Sequence, residues 1–219
     1  MALTWKLSEI AAEVRDLAGM PDASQITKAA LNNRINDFYQ NIFPVDAYVQ
    51  ELESWYTFDT AADDDCEESL PASVRTIEGP ITLKHSDDVI SSVEFYLNKA
   101  KFFNLYPEDS TDEDAERGTP VAALLYNRTV YLRPKADEIF TFKAASKIKP
   151  DVLSDDDSVP LDVSWGPAIA QGTAVLIKNK QKDFERTREL SAVYESMINL
   201  INRRNRIQKT RNSRAMPRF

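Results

Sequence analysis

LDVSWGPAIAQGTAVLIKNKQKDFERTRELSAVYESMINLINRRNRI, residues 161–207, is the longest run of the chain with helical periodicity and no internal strand signal. Trp165, Ile169, Gly172 and Leu176 fall at steps of 4, 3 and 4, which places them on one face of a helix. Ser164 is positioned as its N-cap, and Pro167 lies in the first turn, where a missing N–H costs little. Leu190, Tyr194, Met197 and Ile201 repeat the same steps, with Val193, Leu200 and Ile207 as a parallel seven-residue row beside them. A stripe this broad has to be buried against other elements. It lapses in KNKQKD, Lys178 to Asp183. Two readings are open: one helix from Ser164 to Ile207, roughly 66 Å long, or a hairpin that turns at Lys178–Lys182 and restarts with Asp183 as N-cap. The hairpin is slightly preferred.

Beyond this run the chain changes character. RRNRIQKTRNSRAMPRF, residues 203–219, has seven Lys/Arg, no acid and too few apolar residues for a core. It reads as a basic arm from residue 205, flexible when alone. From Lys178 to Phe219 there are 12 basic and 4 acidic residues, a net of +8; the other 177 residues hold 15 and 31, a net of −16. The protein is thus an acidic body, which repels nucleic acid, with a basic C-terminal extension that suits an acidic partner. At 42% apolar and 28% charged residues, the composition is that of a globular chain with a real core. No apolar run approaches the roughly eighteen residues of a membrane span. The opening MALTWKLSEIAAEV has an acid and a helical period where a secretory signal would have a basic and then an apolar block. Cys66 is the one cysteine, which excludes an internal disulfide and fits a reducing compartment.

Towards the N-terminus, Leu7, Ile10, Val14 and Leu17 predict a helix with Ser8 near its start and Gly19 as its stop. Ser24 is expected to cap a second helix with Leu31, Ile35, Phe38 and Ile42 on its face, ended by Phe43-Pro44. From Val45 the period switches to two. Trp55–Thr60, Val74–Leu83, part of Ile90–Tyr96 and Glu138–Ala145 read as strands, and Val121–Tyr126 with Thr129–Leu132 as a hairpin around Asn127-Arg128. A positive φ at Arg128 would be strained. The expected fold is therefore α+β: a helical core from residues 1–44 and 160–204, a small antiparallel β-subdomain of five or six strands inserted at 45–159, and the basic arm 205–219.

Three acidic loops, AADDDCEES, YPEDSTDEDAERG and VLSDDD, lack the oxygen spacing of a calcium cage and read as solvated loops that protect strand edges, the alternative being a negative surface facing DNA or a basic partner. With one histidine, His85, and one cysteine, a zinc site of several His/Cys ligands is excluded within one chain. No glycine pattern cradles a phosphate. A Ser-His-Asp triad would need His85, in the turn-like KHSDD, where an exposed loop histidine is the default. No catalytic residue, metal site or cofactor is expected.

The order of parts resembles the head-to-tail adaptor (connector, neck) proteins of tailed bacteriophages. The residues that carry the resemblance are VRDLAGMPDASQITKAALNNRINDFYQNIFP, then ESWYTFDT, then GTPVAALLYNRTVYLRPKADEIFTF, and last SWGPAIAQGTAVLIKNKQKDFERTRELSAVY with the basic tail. The resemblance implies a ring of self-associated subunits, commonly dodecameric, in the neck of the virion, made in the host cytoplasm. It implies a portal protein above, a tail or nozzle protein below, and a channel through which DNA passes without sequence-specific binding; no membrane is involved. It also implies a C-terminal extension that inserts into the portal, here through Arg203, Arg204, Arg206, Lys209, Arg211, Arg214, Arg218 and Phe219. The alternative from the residues is a DNA- or RNA-binding accessory protein that uses the same basic segment as its contact.

Overall fold

The computed structural model describes residues 4–22, 24–61, 67–85, 88–107 and 117–213, with side chains up to Asn205. In chain order the elements are α1 (Leu7–Leu17), α2 (Lys28–Asp37), a π-helical turn (Phe38–Ile42), α3 (Phe43–Asp46), β1 (Glu53–Asp59), β2 (Glu67–Ser69), β3 (Val74–Lys84), β4 (Ile90–Tyr96), α4 (Lys99–Leu105), β5 (Ala122–Tyr126), β6 (Thr129–Arg133), β7 (Thr141–Ile148), α5 (Gly166–Lys180) and α6 (Phe184–Ser213). The fold is α+β. One compact unit joins both ends of the chain, Met1–Glu51 with Lys149–Phe219; the other is Leu52–Ile148. The strand unit is narrower than 45–159, because Ala47, Val49, Leu153 and their neighbours bury themselves with the helices.

In the helical unit α5 is the centre. Every residue from Ala168 to Ala174 is buried, so its contact surface is wider than the single face that the periodicity marks; Leu176, on that face, is only half-buried. Small side chains and Gly172 let α1, α2 and the π turn approach one side of it while α6 packs against it as the second arm of a hairpin. The cap is Asp162, whose carboxylate accepts from Ser164 N–H at 2.8 Å, rather than Ser164 itself. A short 3₁₀ turn, Val163–Trp165, precedes α5 and moves the cap two residues upstream.

The hairpin reading of residues 178–183 holds. Asp183 N–H bonds to Lys178 O at 3.2 Å and Lys182 N–H to Asn179 O at 3.0 Å, with Lys182 in the left-handed region at φ 60°. This is the Schellman arrangement without its usual glycine. Asp183 then caps α6, accepting from Arg186 N–H at 3.2 Å. Gly19 ends α1 in the same way, with Met20 N–H on Arg15 O at 2.8 Å and φ 58°. Lys182→Gly is therefore expected to stabilise the protein by about 0.5–1 kcal/mol, relief of left-handed strain outweighing the entropy of glycine. A urea midpoint that rises at unchanged slope checks it.

Two further expectations shift. Thr27, not Ser24, caps α2, its hydroxyl accepting from Ala30 N–H at 3.3 Å. The helix also does not end at Phe43-Pro44. Pro44 has no N–H for the carbonyl four residues back, and the chain answers with the π turn, in which Phe43 N–H bonds to Phe38 O. The wider turn brings Phe43 to the buried face in place of Ile42, which is half-buried.

The acidic loop at residues 152–157 does more than stay solvated. Its backbone and that of the next residue satisfy two orphan donors of α1: Leu7 N–H bonds to Ser158 O at 2.8 Å and Ser8 N–H to Asp156 O at 3.2 Å. Lys6 Nζ meets Asp157 at 2.7 Å and Lys28 Nζ meets Asp156. The Lys6 hydrogen bond and charge hold the Asp157 carboxyl below its ordinary value. The other two acidic loops lie mostly outside the described residues, as does Cys66.

The strand unit is one curled sheet of order β1-β7-β3-β4-β5-β6-β2. It is mixed rather than antiparallel: β4 and β5 run parallel, Glu94 opposite Ala122. The missed element is α4. Asn98 caps it by accepting from Ala100 and Lys101 N–H, and it provides the crossover that parallel strands require. VAALLY is a continuous apolar run because β5 is covered on both faces. Ala123 and Leu125 point to the main core with Val130, Leu132, Phe140 and Phe142, while Ala122 and Leu124 pack with Phe102 and Tyr96.

Candidate functional site

The residues expected to bind a partner lie in the basic C-terminal run, so the candidate site is built from α6. Its buried line is Leu190, Ile198 and Asn205, with Tyr194, Met197 and Ile201 half-buried. Gln171 Nε2, inside α5, donates to Leu190 O at 3.0 Å and ties the two arms of the hairpin. Tyr194 packs edge-on to Phe38 at 5.7 Å and donates its hydroxyl to Asp46 Oδ2 at 2.8 Å. Burial, with the Asp46 carboxylate, pushes its phenol well above the usual range.

Further along, two asparagines hold the helix to the chain after α3. Asn202 Oδ1 accepts from Tyr48 N–H at 2.7 Å while its Nδ2 donates to Asp46 O at 3.2 Å. Asn205 Nδ2 donates to Tyr48 O. Both backbone groups of Tyr48 are thus satisfied by α6. The sequence reading passed over this latch, although two Asn at i, i+3 within a run of arginines are a visible signal of a polar contact on one helix face.

Asn205 is therefore part of the folded unit and not the start of an arm. The backbone is helical to Ser213, and the flexible segment expected from residue 205 is not confirmed. Arg, Gln and Lys are good helix formers, the nucleus already exists upstream, and cations favour a helix C-terminus. Of the predicted residues, Arg203 and Arg204 are exposed on α6. Arg206, Lys209 and Arg211 lie on its helical backbone, with side chains outside the described set; Arg214, Arg218 and Phe219 lie outside the described residues.

The two residues of the second apolar row whose side chains are described, Val193 and Leu200, stay exposed, at 46% and 63%. With α5 on one side only, α6 can cover one narrow line, and this row falls off it.

His85 is docked rather than exposed. Its Nε2 is 3.1 Å from Ser91 Oγ, its Nδ1 is 3.9 Å from Glu138, and its ring stands edge-on to Phe140 at 5.0 Å. Its N–H and carbonyl bond to Val89 O and Asp88 N–H, closing the β3–β4 turn. Two cavities lined by described residues do not touch this group. One, of about 320 Å³, is lined by Glu53, Trp55, Glu78, Gly79, Ala145 and Lys147 among others. The other, of about 240 Å³, lies beside Tyr39, Leu153 and Leu161, where Tyr39 Oη accepts from Leu161 N–H at 3.0 Å. No group of His, Cys, Asp and Glu among the described residues could hold a metal ion, and no helix among them is long and apolar enough to cross a membrane.

Compared with known proteins, the chain matches no family model and no curated protein.

Proposed function

We propose that this chain is a non-enzymatic structural protein of a tailed-phage particle, a subunit of the ring adaptor between portal and tail, located in the neck of the virion. Its partners are further copies of itself, the portal, and a tail or nozzle protein, and DNA passes through the ring. The observation that carries the reading is α6. Its 30 residues extend about 45 Å, and its backbone continues in helical form through a segment rich in Arg and Lys beyond Asn205. A charged helix that outruns its own latch is suited to reach a second protein. Guanidinium groups there would fork onto carboxylates of a portal groove. The exposed Val193 and Leu200 offer apolar surface for a neighbouring subunit. The inserted strand unit supports the same reading, since the order of parts resembles that of the adaptors.

Each copy would bind weakly, and firm attachment would come from many linked copies. Deleting residues 206–219 is expected to leave the fold intact, because Asn202 and Asn205 remain, and to abolish joining to the portal ring of the same phage. Co-sedimentation with that portal and far-UV circular dichroism read the two halves. Normal docking of the truncated chain overturns the proposal. So does tighter binding of the full chain to DNA than to portal, with the steep salt dependence of phosphate contacts.

A further inference from the structure

We propose that the outer edge of β1 is a docking site for an extended peptide segment of another protein, carrying basic residues, which adds to the sheet as a further strand. β1 closes one end of the strand order and pairs only with β7. Ser54–Asp59 make no other backbone hydrogen bond among the described residues, so half of their N–H and C=O groups point away from the sheet unpaired. Ser54, Trp55, Thr57 and Asp59 are also exposed. Natural sheets usually blunt such an edge with lysine, proline, a bulge or shortness. β2, at the other end, is three residues long. β1 is seven residues long, has no lysine, proline or register shift, and carries no charge from Ser54 to Phe58.

The surface beside this edge adds selectivity. Trp55 is 55% exposed and faces outward with Ala145 and Glu78, its successive cross-strand partners on β7 and β3. Between Glu78 and Ile81 the β3 register shifts, so Gly79 and Pro80 have no partner on β7. The cavity of about 320 Å³ opens there, with a methyl floor at Ala145 between an indole and a carboxylate. Lys143 Nζ already lies 4.6 Å from the Trp55 ring centroid, so the indole accepts cations. Glu78 is already met by Lys147 Nζ at 2.8 Å, so a long cationic side chain from the added strand, an arginine above all, would lie along Trp55 and share that carboxylate with Lys147. Asp59, exposed at the end of β1, favours a basic residue at that flank.

The charges at the two ends of β1 disfavour a second copy of it as the occupant. Antiparallel self-pairing centred on Tyr56 sets Glu53 against Asp59 of the other copy at both ends, and like charges directly opposite destabilise. The occupant is a segment of a different chain, bound by strand addition with a side-chain pocket. This holds whether or not the ring reading above does.

The test uses the full chain, isotope-labelled, with a capped peptide Arg-Thr-Val-Arg-Val-Thr-Lys as probe. Two controls are the same peptide N-methylated at alternate residues and a version with Glu in place of each Arg and Lys. The expected result is at least tenfold slower amide exchange at alternate residues of Glu53–Asp59 with the first peptide only. Trp55→Ala, an exposed position whose loss leaves the core intact, is expected to weaken that binding about tenfold. Absence of protection in β1, equal binding of the N-methylated peptide, or equal binding of the acidic peptide each overturns the proposal. So does self-association of the peptide-free chain with β1 amides protected, which would make a second copy the occupant.

Discussion

Replacing Gly172 by alanine is expected to destabilise the protein by about 2–3 kcal/mol, against the helix propensity of the substitution. In an open helix the exchange gains about 1 kcal/mol. Here a Cβ on Gly172 would stand 2.0 Å from Phe38 Cζ and within 2.7 Å of both Cε atoms. The ring has nowhere to go: Phe38 is fully buried, with Phe43 at 6.5 Å and Tyr194 edge-on at 5.7 Å. Relief requires α5 and the π turn to separate, and overpacking of this kind costs 1–3 kcal/mol or more. Chemical denaturation reads the loss. Phe38→Leu in the Gly172→Ala background should restore part of it, so that the double variant is more stable than the two single effects added. A Gly172→Ala chain as stable as the parent would show that the two helices do not approach this closely.

Arg128 makes the second large effect, and its sign is set by two opposed terms. The hairpin between β5 and β6 turns on Asn127 and Arg128 at φ 50° and 63°, so the arginine carries the strain of the left-handed region. Its guanidinium Nη2 shares its protons among the carbonyls of Leu70, Pro71 and Val74, at 3.2, 2.8 and 3.1 Å, and its own carbonyl accepts from Leu70 N–H at 2.7 Å. The side chain thereby pins the turn that leads from β2 into β3. Hydrogen bonds from a charged group contribute about 1.5–3 kcal/mol, more than the roughly 1 kcal/mol of strain. Arg128→Ala loses the bonds and keeps the strain, for an expected cost of about 2–3 kcal/mol. Arg128→Gly loses the bonds and the strain together, for about 1–2 kcal/mol. Alanine below glycine in thermal stability is the distinguishing order; the reverse would mean that the guanidinium contacts contribute little in solution.

Period alone recovered most of the elements. Leu7–Ile10–Val14 and Leu31–Ile35 mark helix faces that are buried, and the alternation in β1 and β3 marks strands that are half-buried. Gly19 and Asp183 were legible as helix ends because their chemistry is local. Asn98 capping α4 was overlooked because a seven-residue helix contributes only one fully buried side chain, Phe102, too little to produce a period. For the candidate site, the basic run was plain in the composition, whereas Asn202 and Asn205 became partners of Tyr48 only through contacts more than 150 residues away in sequence.

The sequence by itself determined the α+β class, the helices at both ends around a strand-rich middle, and the separation of charge between body and tail. These follow from the spacing of apolar side chains and from composition, which need no partner to be read. Tertiary structure alone decided that Ala168–Ala174 of α5 is enclosed on all sides while α6 keeps Val193 and Leu200 exposed, that β4 and β5 run parallel, and that the acidic loop and the adjoining Ser158 cap α1. Each depends on which surface is left unfilled once the other elements have packed. That surface is a property of distances between residues far apart in the chain, and periodicity carries no record of it.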